Sequence, residues 1–294
     1  MSEKIKTKFD PKDKVVVGID GKERLPKVAL WAADVAQRKG TSLVVVASYA
    51  MPSYRESMVV TKPTQSQRDA ADQHLADVAH GLAKGFPDLS IELVATEDDP
   101  SEALTAATHS AWLVAIGATT LTGLASAVLG KVSTQVVAQA HGPVAIIPNV
   151  EVKKDGPIVL ALDLSHPVKE ATEYAFEIGR FTGQPLKVVY AWEGQRVPAK
   201  TSDGTYDAST PDLSNDMRQA VGVTAKKYPD VKVSYQAIPG DSVKVLREVS
   251  KEARAIIMGS RRMIAGLVGL VSGSTSRKLI DHTNSPLVIV PNVR

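Results

Sequence analysis

Short apolar runs alternate along this chain with longer stretches in which apolar residues recur every three or four positions. Val15-Val16-Val17-Gly18-Ile19 is a run of strand length closed by Asp20-Gly21. Leu25, Val28, Ala29, Ala32, Val35 and Ala36 follow at helical spacing and stop at Lys39-Gly40, a basic last turn with a glycine behind it. The same alternation predicts strands at Leu43–Ala47, Ile91–Ala95, Trp112–Ile116 and Val144–Ile147, and helices at Ser66–Lys84, Ser101–His109 and Ser133–Ala140. Strands this uniformly apolar are buried on both faces, which calls for a parallel sheet covered by helices on both sides.

The order of parts then returns. Strands are predicted at Ile158–Leu162, Leu186–Ala191, Val231–Ala237, Ala255–Met258 and Leu287–Val290, with helices at Val168–Arg180, Asp212–Lys227, Ser242–Lys251 and Ser276–Asp281. A step of 143 residues separates Asp20 from Asp163, Gly130 from Gly273 and Pro148 from Pro291, and a step of 142 separates Gly117 from Gly259. One period of this length is the duplication of a whole domain, not a solenoid. Residues 1–150 and 151–294 are therefore two α/β domains, and Glu151-Val152-Lys153-Lys154-Asp155-Gly156 is the linker between them. With five strands in the common order 3-2-1-4-5, the winding reverses between the first and fourth strands, where open parallel sheets bind ligands. Asp20 and Gly117 end those strands in copy one, Asp163 and Gly259 in copy two.

Composition removes several alternatives. The 294 residues are 44% apolar and 23% charged, ordinary globular material. With 35 Lys and Arg against 32 Asp and Glu, the net charge of +3 implies no nucleic-acid or membrane partner. There is no cysteine, so disulfides, thiolate chemistry and Cys-based zinc sites are excluded. The six histidines show no HxxxH or HExxH spacing, so no metal site is expected. The lysine-rich start lacks the apolar core of a signal peptide and no run is long enough to span a bilayer, so a cytoplasmic location is expected.

The candidate chemistry lies in two glycine-punctuated loops between a strand and a helix. Copy one has Gly117, Gly123 and Gly130-Lys131-Val132-Ser133; copy two has Gly259, Gly266, Gly269 and Gly273-Ser274-Thr275-Ser276. Glycines let the backbone come close to an anion, and the first turn of the following helix offers unpaired N–H groups with a partial positive charge. Lys131 at a helix start opposes the dipole, a conflict that an anion beside it removes. Walker A fails, because Val132 follows Gly130-Lys131 and Ala125 stands where its first glycine is required. The plainer readings are strand-to-helix turns for the glycines and local turn caps for Asp20 and Asp163.

On these residues the chain resembles a tandem universal stress protein, a family of flavodoxin-like α/β domains many of which bind ATP. The family signature is an aspartate ending the first strand, then GxxGx9G with a small hydroxyl residue after the fourth. Val17-Gly18-Ile19-Asp20 with Ala29-Leu30-Trp31-Ala32-Ala33 matches the opening, and the resemblance runs from Lys14 to Pro291. It implies two flavodoxin-like domains, each a five-stranded parallel sheet of order 3-2-1-4-5 with helices on both faces. It also implies a stress-response or regulatory protein binding an adenine nucleotide in at least one domain. That nucleotide is ATP first, with AMP or another adenine nucleotide as substitutes and magnesium only with a triphosphate.

Carried over position by position, the site residues in copy one are Gly18, Asp20, Ser48, Gly117, Thr119, Thr120, Gly130, Lys131, Val132 and Ser133. In copy two they are Ala161, Asp163, Ser165, Ala191, Met258, Gly259, Arg261, Arg262, Gly273, Ser274, Thr275 and Ser276. Thr120 and Arg262 replace the signature's middle glycine, and a positive φ there would cost about 1–2 kcal/mol. Lys131 takes the first hydroxyl position, and the second loop carries one extra residue. The hydroxyl-rich loop of copy two predicts the tighter site there. By the same resemblance the final strands, Val144–Ile147 and Leu287–Val290, pair the copies as an intrachain pseudo-dimer or join two chains. No nucleophile, metal pair or general base accompanies the loops, so an enzyme is not expected, and slow ATP hydrolysis would lack a base. The competing reading is a ligand-free interaction protein that kept the fold and lost the phosphate loop.

Overall fold

The structure, a computed structural model, describes residues 5–49, 63–120, 127–128, 130–192, 213–260, 279 and 283–292. The chain divides into two compact units with the boundary between Asn149 and Val150.

In the first unit β1 (Val15–Ile19), α1 (Lys27–Lys39), β2 (Leu43–Ser48), α2 (Gln65–Gly85) and β3 (Ile91–Thr96) build one side of a parallel sheet. Then α3 (Pro100–Ala107), β4 (Leu113–Gly117), α4 (Lys131–Gln139) and β7 (Val144–Ile147) build the other side. Between β4 and α4 lies a short antiparallel pair, β5 (Thr119–Thr120) with β6 (Ala127–Val128). Pairing runs β3-β2-β1-β4-β7, all parallel, with Val15 opposite both Leu43 and Leu113. This is the expected order 3-2-1-4-5. Val15, Val16 and Val17 are fully buried, as both-face coverage requires. Each such side chain contributes about 1.5–3 kcal/mol relative to leaving it exposed.

The helix ends have local causes. Gly40 closes α1 with φ 76°, and its N–H returns to the carbonyls of Ala36 and Gln37. Thr64 opens α2 with a capping box: its hydroxyl accepts the Gln67 N–H and its own N–H donates to Gln67 Oε1 at 2.8 Å. Asp99 caps α3, accepting the Ser101 N–H at 2.8 Å, with Pro100 in the first turn.

The second unit repeats the plan with β8 (Ile158–Ala161), α5 (Lys169–Thr182), β9 (Leu186–Trp192), α6 (Leu213–Ala225), β10 (Val233–Pro239), α7 (Ser242–Ser250), β11 (Ala255–Ser260) and β12 (Leu287–Pro291). Its parallel order is β10-β9-β8-β11-β12, again 3-2-1-4-5. Gly183 ends α5 at φ 70°, the counterpart of Gly40. Among the described residues no helix is long and apolar enough to cross a membrane.

Two expectations need correction. The segment from Gly117 to Gly130 is not simply a loop, since it contains the β5–β6 pair, too short to leave a period in the sequence. The last helix of copy one starts at Lys131, two residues before Ser133, because Gly130 takes the helix-opening position with φ −64° and ψ 167°.

Candidate functional site

At the carboxyl ends of β1 and β4, where the winding reverses, lies a cavity of about 550 Å³. That size suits a small organic ligand. Its walls are apolar: Val28, Val46, Leu104, Ile116 and Ile147 line it and are buried. Gly18 shares the wall, with the Leu104 side chain of α3 packed close over it. A Cβ built there would lie 2.6 Å from Leu104 Cδ1.

The rim is polar and comes from three places in the sequence. The β1–α1 turn supplies Asp20, Lys22 and Glu23, with Lys27 opening α1; the cap and first turn of α4 supply Gly130, Lys131, Val132 and Ser133; Asn149 follows the end of β7. The first N–H groups of an α-helix have no partner inside it, so the start of α4 presents donors and a partial positive charge to the cavity. No acidic residue stands in that first turn.

The hydrogen bonds show which groups are engaged. Asp20 Oδ1 accepts the Lys22 N–H at 3.2 Å and Oδ2 pairs with the Lys22 ammonium at 3.0 Å, both in the open. Ser48 donates its hydroxyl to the Asp98 carbonyl at 2.7 Å. Ser133 is buried and donates its hydroxyl to the Gly117 carbonyl at 3.1 Å, which ties the start of α4 to the end of β4. Its role as a hydroxyl donor to an anion is thereby displaced, and its place in the rim is left to the backbone. Lys131 is exposed beside the cap of α3. Burial pushes the Asp99 carboxyl up, yet bonds from the Ser101 hydroxyl and from the Ser101 and Glu102 N–H groups, with the Lys131 charge, hold it below its ordinary value.

Copy two places Ala161, Ala191, Met258 and Gly259 at the corresponding strand ends. Asp163 there accepts the N–H of Ser165 at 2.9 Å and of His166 at 3.3 Å, so it caps a local turn as Asp20 does. Over Gly259 sits Val168, which opens α5. A Cβ built on Gly259 would lie 2.4 Å from Val168 Cγ2, whereas one on Gly117 would have its contact, Val28 Cγ1, at 3.9 Å. The expected ligands Arg261, Arg262, Gly273, Ser274, Thr275 and Ser276 lie outside the described residues.

Comparison with known proteins decides the family. The model of the universal stress protein family matches residues 12–148 and again 156–291. The chain belongs to the universal stress protein family. A universal stress protein of Mycobacterium tuberculosis is 26% identical over 288 residues, covering 94% of this chain and 96% of the relative. One from Mycolicibacterium smegmatis is 23% identical over the same shares. Among solved structures, a universal stress protein from Archaeoglobus fulgidus superposes with a TM-score of 0.67 at 19% identity, covering 94% of this chain and 98% of that one.

Against the pattern of universal stress proteins, copy one's departures become concrete. Thr120, which replaces the middle glycine, belongs to the extended strand β5, so no cost of a positive φ arises. Its neighbour Thr119 is paired with Val128 in the same ribbon. Of the copy-one residues expected from the family, the cavity gathers Gly18, Asp20, Ser48, Gly117 and the Gly130–Ser133 turn. It also gathers Lys22, Glu23, Lys27, Leu104 and Asn149, which no motif marked. Asn149 lies one 143-residue step before Asn292, but its part in a cleft needed the fold.

Proposed function

We propose that this chain is a regulatory nucleotide-binding protein that holds an adenine nucleotide, ATP first, in the crevice of its first domain. The supporting observation is the convergence of an apolar wall, the Asp20 carboxylate and the start of α4 with Lys131 on one cavity at the winding reversal. A base fits the wall formed by Val46, Leu104 and Ile116, and a ribose hydroxyl can donate to the exposed Asp20 carboxylate. Phosphate oxygens can accept from the first N–H groups of α4 and from Lys131. A triphosphate would bring its own magnesium. Binding, not turnover, is the function proposed.

The second reading, a ligand-free interaction scaffold, is favoured for copy two by Val168 seated against Gly259. Nucleotide released from the purified protein by denaturation and identified by mass spectrometry tests the reading directly. ATP titration calorimetry then assigns the domain, using wild type, Lys131→Glu, and Asp163→Ala combined with Gly273→Val. An acidic side chain at the start of α4 suits the helix dipole and offsets the lost attraction to Asp99, so Lys131→Glu should change thermal stability little. It should nevertheless weaken ATP binding roughly ten- to a hundredfold, the worth of a charge-assisted bond of about 1.5–3 kcal/mol. Retention in Lys131→Glu with loss in the copy-two variant would instead favour the hydroxyl-rich loop of copy two. A folded wild type that neither carries nor binds nucleotide would leave the scaffold reading for both copies.

A further inference from the structure

Lys27 is the first residue of α1, and Lys131 is the first residue of α4. Both line the same cavity and both are exposed. A cation at the start of a helix opposes the dipole, and neither helix has an acidic residue in its first turn to offset it. Lys131 does lie beside the Asp99 cap of α3, but the conflict with the dipole recurs at two separate helices that open on one cleft.

The carboxylates at the same rim are engaged elsewhere. Asp20 pairs with Lys22, and Glu23 Oε1 accepts the Asn149 side-chain amide at 3.2 Å. The Lys27 ammonium donates to the Asn149 backbone carbonyl at 3.5 Å, the outer limit of a hydrogen bond. A bond that long, on a flexible four-carbon stem, is readily exchanged for a better acceptor.

We propose that Lys27 reads the charge of the ligand's outer phosphates, leaving the Asn149 carbonyl to pair with them opposite Lys131. The cleft thereby selects nucleoside polyphosphates over monophosphates. The inference rests on the nucleotide reading and adds to it a residue that lies outside the glycine signature. Asp20 and the apolar wall hold the parts common to ATP and AMP, so those parts set the affinity shared by both ligands. Lys27 on α1 and Lys131 on α4 bring a second and third positive end to a chain of phosphates, and a single phosphate can satisfy only part of that set.

Calorimetric titration of ATP, ADP and AMP at one fixed magnesium concentration tests it, on wild type, Lys27→Gln and Lys27→Arg. Lys27 is exposed and its bond to the Asn149 carbonyl is at the outer limit of length, so losing it does not put folding at issue. Wild type should bind ATP more tightly than AMP. Lys27→Gln should weaken ATP about tenfold and AMP less than about twofold, and Lys27→Arg should restore the preference. Equal weakening of ATP and AMP, or no change in either, would overturn the role of Lys27 while leaving the nucleotide site standing. Absence of binding by all three ligands to folded wild type would remove the site and this inference together.

Discussion

At the scale of single residues, the two glycines that end the fourth strands of the repeats do different work. Gly117 has room: a methyl group there would meet Val28 Cγ1 at 3.9 Å, an ordinary contact. Gly259 has none, because Val168 stands 2.4 Å from the position a methyl would take, with its own Cβ at 2.5 Å. A β-branched side chain cannot swing its Cβ aside, so the backbone must move. Gly259→Ala should therefore cost about 1–3 kcal/mol in urea unfolding, with most of it recovered in the double variant with Val168→Ala. Gly117→Ala should stay within about 0.5 kcal/mol of wild type. Equal losses at the two glycines would show that the difference in packing does not matter. The sequence marks both glycines by their place in the signature but cannot tell a glycine kept for a ligand from one kept for a neighbouring valine. Ser133 carries the same lesson. Its position at a helix start suggests a hydroxyl aimed at phosphate, and only the fold shows the hydroxyl turned to the Gly117 carbonyl.

At the scale of elements, nearly every strand and helix is legible, because strands buried on both faces leave continuous apolar runs and amphipathic helices leave a 3.6 period. What escapes is what lacks a period or a side-chain signal. The β5–β6 ribbon has two residues to a strand, and α4 opens on a glycine with no capping side chain. The opposite case is α3, whose cap is an aspartate. Asp99→Ala should lower stability by about 0.5–2 kcal/mol at neutral pH, since the Ser101 N–H loses its acceptor. The pH dependence follows from the direction of the Asp99 shift. Burial raises its pKa, but the Ser101 and Glu102 bonds and Lys131 outweigh it, so the folded value lies below the ordinary 3.8. The carboxylate's contribution is then complete above 3.8 and is lost as pH falls through the depressed folded value. Urea midpoints of wild type and Asp99→Ala should differ clearly at neutral pH and converge in strong acid. A gap that widens on acidification would mean the sign is wrong.

At the scale of the whole molecule, the duplication is the most legible feature, since a step of 142 or 143 residues relates the strand ends and turn residues of the two domains. The start of the chain is the least legible. The sequence there shows only a lysine-rich segment without the apolar core of a signal peptide, yet Lys6 lies beside Val94 in a parallel bridge along β3, the outer strand of the first sheet. The Lys6 N–H donates to the Leu93 carbonyl and the Ala95 N–H donates to the Lys6 carbonyl, each at 2.9 Å. Glu92 fixes this segment from the side, pairing with the Lys6 ammonium at 2.9 Å and the Lys14 ammonium at 3.1 Å. Burial raises the Glu92 pKa, but the two lysines outweigh it and hold the carboxyl below its ordinary 4.5. An outer strand left uncovered offers its backbone groups to other chains, and the bridge at Lys6 occupies two of those groups of β3, a pairing that no local pattern encodes. Glu92→Gln removes two partly exposed ion pairs, together worth about 0.5–1 kcal/mol, and should speed hydrogen exchange at the Ala95 amide about two- to fivefold. The acceleration should fade in wild-type comparison as pH falls below 4.5 and through the lowered folded value, where Glu92 itself becomes neutral. Deleting residues 1–8 should go further, exposing the β3 edge and producing self-association by light scattering that rises with protein concentration. Unchanged exchange at Ala95 in Glu92→Gln, together with a deletion variant that stays dispersed, would show that the tail leaves the edge no better protected than water does.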